Sequence, residues 1–375
     1  MEKPLNVAIL GHRFMGRAHS NAWIKAPLFF DLPTVPVLKV ATGRDQAALT
    51  EFATRWGWEE TESDWRKTIE RDDIDIVDIS LPTHLHFETA LAAVQAGKHV
   101  FCEKPFTLTA AEAEQLAEAA EAAGVVHYLN HNYQRCPAVA LAKQFIDEGK
   151  LGTLFHWRGA YQQSWLIDPQ KPLDWKLKKA TAGAGPHWDL SSHAVDMALF
   201  LMGKIDRVHC LTKTFTKERP LAEDPEQTGE VEVDDASLMT VQFSNGAVGT
   251  IETTRYATGR RNHHTFEIYG SKGGLSWDLE DMNRLKFWNE ADDPDSRGWR
   301  DILVTEPVHP YAAKWWPPGH VIGYEHGFVH AVADFVNAIC DQKSISPNFR
   351  DGVEIMRVLE AGLKSADSSE MTSVG

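Results

Sequence analysis

A lysine, an aspartate and a histidine are the residues of this sequence best placed to move protons. Glu103-Lys104-Pro105 follows a short apolar run, Lys98 to Cys102, that reads as a strand. It sets an ammonium group at the carboxyl end of a parallel strand, where open α/β sheets bind their ligands. Asp189-Leu-Ser-Ser-His193 puts a carboxylate and an imidazole four residues apart, so on a helix they share one face. Converging beside a nucleotide crevice, the three form an acid–base centre suited to hydride transfer. Each also has a plainer reading. Lys104 alone is a surface lysine before a turn-forming proline, and Asp189 with His193 is an ion pair on a helix face.

The crevice itself is written at the start of the chain. The apolar run Asn6–Leu10 is followed by Gly11-His-Arg13-Phe14-Met15-Gly16 and then by a helix-compatible stretch. The GxGxxG pattern fails at its second glycine, where Arg13 stands. An arginine backbone can still turn there, and its guanidinium can reach a phosphate. At the tip of the second strand, Ala41-Thr-Gly43-Arg44, glycine occupies the place where an acid would bind a ribose 2′-hydroxyl. Arg44 is suited to a 2′-phosphate, which tilts the expectation between NAD and NADP slightly towards NADP.

These groups need a scaffold, and the apolar periodicity supplies one. Strands are expected at Asn6–Leu10, Val35–Thr42, Ile74–Ile79, Lys98–Cys102 and Val125–Leu129, alternating with helices after Phe14 and at Ala47–Trp56, His86–Ala96 and Ala110–Ala123. That alternation implies a doubly wound parallel sheet, an α/β Rossmann domain over residues 1–131. From Asn132 the pattern changes to consecutive strands: Thr153–Tyr161, Arg207–Phe215, Asp234–Phe243, Ala247–Tyr256 and Thr265–Tyr269, with Asn245-Gly246 as a hairpin turn. Residues 132–375 are therefore expected to form an α+β domain with a large, mainly antiparallel sheet, flanked by helices at Ala138–Glu148, His187–Leu201 and His326–Ile339. The acidic stretch Ala222–Val233 reads as a surface loop.

Composition narrows the partners. In 375 residues, 43% hydrophobic and 24% charged, there is material for two buried cores. A formal net charge of −15 argues against a nucleic-acid partner, which needs surplus Lys and Arg. No apolar run is long enough for a membrane span, and Met1-Glu-Lys-Pro-Leu-Asn carries no leader pattern. Four scattered cysteines fit buried thiols in a reducing cytoplasm. Among seventeen histidines, neither His187 with His193, six apart, nor the adjacent His263-His264 has familiar zinc-ligand spacing, and no metal is expected.

The order of motifs resembles the Gfo/Idh/MocA oxidoreductase family along essentially the whole chain. The resemblance rests on the opening strand-turn-helix, Glu103-Lys104-Pro105, Asn132-Tyr133-Gln134-Arg135, and Gly185 through Asp189, His193 and Asp196. Tyr161-Gln-Gln-Ser-Trp165 through Pro172-Leu-Asp-Trp175, and His309-Pro-Tyr through Trp315-Trp-Pro-Pro-Gly-His320, look similar to its levoglucosan dehydrogenase-like branch. The resemblance implies Lys104, Asp189 and His193 as catalytic residues. It implies a nicotinamide dinucleotide against Gly11, Arg13, Phe14, Met15, Gly16, Arg44, Ser80, Pro82, His86, Glu103 and Lys104. It implies a carbohydrate against Tyr133, Gln163, Trp165, Trp175, Asp189 and His193, and a homodimer or homotetramer paired through the open sheet face.

The implied activity is oxidation or reduction of a secondary hydroxyl of a sugar, anhydrosugar, glycoside or polyol. Redox-neutral epimerisation or glycoside cleavage with a tightly held cofactor, and non-catalytic sugar or nucleotide sensing, are the alternatives. Pro186-His187-Trp188, Ser191-Ser192 and Gln134 depart from the family pattern, and bulk beside Asp189 is expected to reshape the pocket. Trp315 and Trp316 are candidate apolar walls, or packing.

Overall fold

A computed structural model describes residues 3–375; Met1 and Glu2, at the head of the segment read above for a leader, lie outside the described residues. Strands and helices alternate first: β1 (Leu5–Leu10), α1 (Phe14–Phe29), β2 (Pro36–Thr42), α2 (Gln46–Trp56), β3 (Glu60–Glu62), α3 (Trp65–Ile69), β4 (Ile76–Ile79), α4 (His86–Gln95), β5 (His99–Cys102), α5 (Ala110–Ala123) and β6 (His127–Leu129). All pairings are parallel, in the order β3-β2-β1-β4-β5-β6. Val7–Leu10 of β1 is apolar and buried throughout, as a strand covered by helices on both faces must be. Local chemistry marks the helix ends. Thr109 and Glu112 close a capping box on α5, and Gly124 ends it in the left-handed conformation.

The second part of the chain begins with α6 (Pro137–Asp147), β7 (Leu154–Gln162), the short α7 (Lys179–Ala182) and α8 (Pro186–Asp189), and α9 (Ser191–Met202). Then come β8 (Ile205–Lys213), β9 (Glu218–Pro220), β10 (Thr228–Glu230), β11 (Ala236–Phe243), β12 (Val248–Thr254), β13 (His263–Gly270), β14 (Gly273–Asp278), β15 (Arg284–Asn289) and β16 (Arg300–Leu303), followed by α10 (His326–Asp341), α11 (Phe349–Ser368) and β17 (Thr372–Ser373). The large sheet runs β16-β15-β14-β13-β7-β12-β11-β8-β17. Its neighbours are antiparallel except for the parallel pair β7 and β12. The expected fold class holds. The Asn245-Gly246 turn joins β11 to β12 as its sequence demands, with Gly246 at φ +88°.

The acidic stretch is more structured than a surface loop. β10 pairs with β9, and Val231 and Val233 bury with Leu166 and Leu177 in a small apolar cluster against which Trp165, Leu173 and Tyr256 pack. The division at 131/132 also differs from the structure, which forms two compact units. One takes residues up to Arg135 with Ile322–Glu354, the other Cys136–Val321 with Ile355–Gly375. The segment carrying α10 joins the first unit because its apolar face packs on α1. Phe335 stacks edge-on against Trp23 and Phe101, at 6.5 and 5.4 Å between ring centroids. Among the described residues no helix is long and apolar enough to cross a membrane.

Candidate active site

At the carboxyl edge of the parallel sheet, the ends of β1, β2, β4 and β5 bring Gly11, Arg44, Ser80, Glu103 and Lys104 to one rim. Gly11 lies at φ +111°, and a Cβ there would stand 2.6 Å from the Ser80 carbonyl oxygen; a Cβ on Gly16 would stand 2.3 Å from the Gly11 carbonyl oxygen. Only glycine fits either position. Arg13 lies at φ −85°, outside the left-handed region, so a side chain is tolerated at the glycine that the pattern lacks. No side chain caps the N-terminus of α1, which leaves its first N–H groups for an anion. This turn fits a dinucleotide pyrophosphate.

Around the turn, Phe14 is 58% exposed and stacks on Tyr324 at 6.4 Å, while Met15 and Pro82 are half-buried. Arg44 is exposed at the tip of β2 and makes no ion pair among the described residues. The sequence reading missed His12. A Cβ on Gly43 would lie 2.3 Å from His12 Nδ1, so this ring, and not an acid, fills the corner expected to meet a ribose. Burial and then the Arg13 charge lower the His12 pKa.

Beneath Lys104 lies a buried polar cluster. His19 Nδ1 stands 2.7 Å from Asp78 Oδ1 and its Nε2 2.9 Å from Glu103 Oε1. Trp23 Nε1 donates to Asp78 Oδ2 at 2.6 Å, and Asn130 Nδ2 to Glu103 Oε1 at 2.6 Å. Burial pulls the His19 pKa down, but the charge and hydrogen bond of Asp78, with those of Glu103, outweigh it and raise it to about 10. Burial pushes the Glu103 pKa up, and His19, Lys104 and Asn130 together bring it below its ordinary value. Glu103 thus faces inward, as does His86, whose ring nitrogens lie 2.8 Å from the Pro105 and Leu81 carbonyl oxygens. Both brace the rim. The Lys104–Pro105 peptide is cis.

In the second unit, Asp234 accepts hydrogen bonds from the Gly185 and His187 N–H groups at 2.7 and 2.9 Å and so anchors the start of α8. Leu190, in right-handed helical geometry, joins α8 to α9, which keeps the four-residue relation of Asp189 and His193. Asp189 has a partner that the spacing did not supply. Arg255, 1% exposed, donates from Nη2 to Asp189 Oδ2 at 2.9 Å and lies 5.2 Å from the Trp165 ring centroid. The Tyr161 ring stands 5.6 Å from that of His193 and stacks on His264 at 4.7 Å. Trp165 Nε1 donates to Gln163 Oε1 at 2.8 Å. Nothing local in the sequence marks Arg255, and Tyr161 enters it only as the first residue of the Tyr161-Gln-Gln-Ser-Trp165 segment. Each earns its place through contacts across the sheet.

Tyr133 is buried in the first unit, its ring 6.5 Å from Tyr324. Trp175 is 36% exposed and Trp316 53%. Pro186, His187 and Trp188 are all buried, and His187 is bonded to Ser237 Oγ and the Leu359 carbonyl. Among the described residues one group has a metal-like donor set, His263, Asp278 and Glu280, with ligand atoms within 4.8 Å of one another. Spacing had not suggested it. Glu280 already accepts from two backbone N–H groups, so a resident ion is not required.

Residues 5–131 match the oxidoreductase family with an NAD-binding Rossmann fold, and 139–276 match the Gfo/Idh/MocA C-terminal domain. The chain belongs to the Gfo/Idh/MocA family. It is an NAD-binding oxidoreductase. It is 40% identical to levoglucosan dehydrogenase of Pseudarthrobacter phenanthrenivorans over 99% of this chain and 98% of that one. The crystal structure of an oxidoreductase domain protein from Kribbella flavida superposes with a TM-score of 0.97 at 47% identity, covering both chains fully. A levoglucosan dehydrogenase structure in complex with NADH and levoglucosan gives 0.96 at 40% identity, again with full coverage. The expected family and branch are both borne out.

Proposed function

We propose that the protein oxidises a secondary hydroxyl of a sugar or anhydrosugar, with levoglucosan the first substrate to try. The observation that carries this reading is the group of Asp189, His193, Tyr161, Gln163 and Trp165 in one unit of a chain that resembles levoglucosan dehydrogenase throughout. Bound at the Gly11–Gly16 turn, the nicotinamide dinucleotide supplies the hydride acceptor. His193 Nε2 or Nδ1 takes the hydroxyl proton as the carbinol hydride leaves. Asp189, held by Arg255, orients and offsets the charge that develops on that imidazole. Lys104 donates to the forming alkoxide. Trp165 presents an aromatic body to the apolar face of a sugar ring.

The relatives solved with NADH favour NAD; Arg44 and the absence of an acid at Gly43 favour acceptance of NADP. Four free thiols fit a cytoplasmic setting. The open face of the large sheet, where Leu211 and Leu238 are exposed, fits pairing with a second copy. A spectrophotometric screen of sugars with NAD and NADP, following the reduced cofactor, tests the reading. Turnover of levoglucosan or a close relative is expected; no turnover of any sugar with either cofactor rejects it.

A further inference from the structure

Trp165 fixes the direction of a chain of hydrogen bonds through the second unit. An indole N–H can only donate, so Gln163 Oε1 is its acceptor. That orientation makes Gln163 Nε2 a donor, 2.9 Å from Asn262 Oδ1. Tyr161 Oη donates to the same oxygen at 2.7 Å. With Oδ1 accepting twice, the Asn262 amide is pinned in one orientation. Its Nδ2 is left with two hydrogens that no acceptor among the described residues takes.

The backbone behind it is held as firmly. Glu280 Oε1 accepts from the Arg261 and Asn262 N–H groups at 3.1 and 2.9 Å. The amide is therefore pre-oriented beside groups already placed at the chemistry. Tyr161 neighbours His193, and Trp165 lies under the guanidinium that holds Asp189. A fixed donor without an acceptor suits a ligand rich in hydroxyl oxygens, and pre-orientation removes the entropy cost of using it.

Resting on the carbohydrate reading above, we propose that Asn262 is a specificity-determining residue. Its Nδ2 donates to a ring hydroxyl of the sugar, and Glu280 positions it from behind. The chain explains why so polar a string is kept behind an aromatic wall. Each member fixes the next, ending in a single outward donor whose place selects among sugars that differ at one hydroxyl.

Asn262→Asp tests the donor alone, because a carboxylate still accepts from Tyr161 and Gln163 but has no N–H. The expected result with levoglucosan is a rise in KM of about ten-fold, with cofactor affinity and Tm close to wild type. Asn262→Ala, which also releases Tyr161 and Gln163, is expected to cost more. Glu280→Gln, which keeps an accepting oxygen, should leave KM near wild type, whereas Glu280→Ala should raise it. Monodeoxy analogues of levoglucosan complete the test: one analogue should lose affinity for wild type and lose none for Asn262→Asp. An active wild type with an unchanged Asn262→Asp KM overturns this inference alone. A folded wild type that neither binds nor turns over any sugar, by calorimetry and absorbance, overturns the functional reading and this inference with it.

Discussion

Lys104 stands on a rim braced from below by His19, Asp78, Glu103 and Asn130, all buried and mutually bonded at the strand ends of one parallel sheet. Asp189 and His193 stand on a helix turn braced from the side by Arg255, Tyr161 and Asp234, which come from three other stretches of chain. The first arrangement is tolerant, since parallel strands in fixed order deliver their tips to one edge whatever the side chains do. The second depends on register: Tyr161 opposes His264 and Gln162 opposes His263 across β7 and β13, and a slip of one residue would turn every one of these side chains to the opposite face. Catalytic orientation in this protein is therefore expected to be more fragile in the second unit than in the first.

The largest effect should come from His193, the proposed proton acceptor. His193→Ala should lower kcat by roughly 10²–10⁴-fold with the fold and dinucleotide binding intact. Lys104→Ala and Asp189→Ala should also lower it, and Asp189→Ala/His193→Ala should lose much less than the product of the single losses, because the two act as one unit. Near-normal turnover of His193→Ala would shift the base role to Lys104.

Next is the brace of the second unit. Arg255→Met removes the guanidinium at similar volume and breaks its ion pair with the Asp189 carboxylate. A loss of about 3 kcal/mol in urea unfolding is expected, the low end for a broken buried pair because Asp189 is 22% exposed. A parallel loss of kcat should accompany it. Unchanged kinetics in a folded Arg255→Met enzyme would separate Asp189 from its brace.

The brace of the first unit titrates. His19, raised to about 10 from 6.5, favours the folded state fully below pH 6.5, and that contribution fades as pH rises towards 10. The Tm gap between wild type and His19→Gln should therefore shrink steadily over that window. A gap that is constant or widens with pH would show that the ring is not held as the cation.

Smaller again, Trp165→Ala should raise KM for sugar more than Trp175→Ala, since Trp165 carries the bond to Gln163 and packs on the Val231–Val233 cluster while Trp175 is more exposed. Equal effects would make the two tryptophans interchangeable walls. The smallest expected change is in cofactor choice. Arg44→Asp should shift the kcat/KM ratio towards NAD by repelling a 2′-phosphate, and an unaltered ratio would remove Arg44 from that role.

Much of this was written locally. The strand-turn-helix at Gly11–Gly16, the position of Lys104 after β5 and the hairpin at Asn245-Gly246 follow from short-range rules of period, turn type and strand tip, as do β1, β2, β4, β5 and β6; the short polar edge strand β3, Glu-Thr-Glu, has no apolar period to mark it. Helix α11, Phe349 to Ser368, is not legible in the sequence pattern. Gly352 and Gly362 weaken its helical pattern, and their reason is tertiary: a Cβ on Gly352 would meet Phe106 at 2.6 Å, and one on Gly362 would meet His187 at 2.7 Å. The return of α10 to the first unit was equally invisible, because an apolar helix face does not name the surface that it covers.

The sequence by itself determined which residue types lie four apart on a helix or at the tip of a strand, and so nominated Lys104, Asp189 and His193. Only the tertiary structure decided that Asp189 pairs with Arg255, that Glu103 and His86 face inward, and that Gln163, Tyr161 and Asn262 share one oriented chain. Spacing along a chain reports neighbours within a few residues. Partners about a hundred residues apart are chosen by sheet register and by the need of each buried polar group for an acceptor or donor, and those are settled only when the chain has packed.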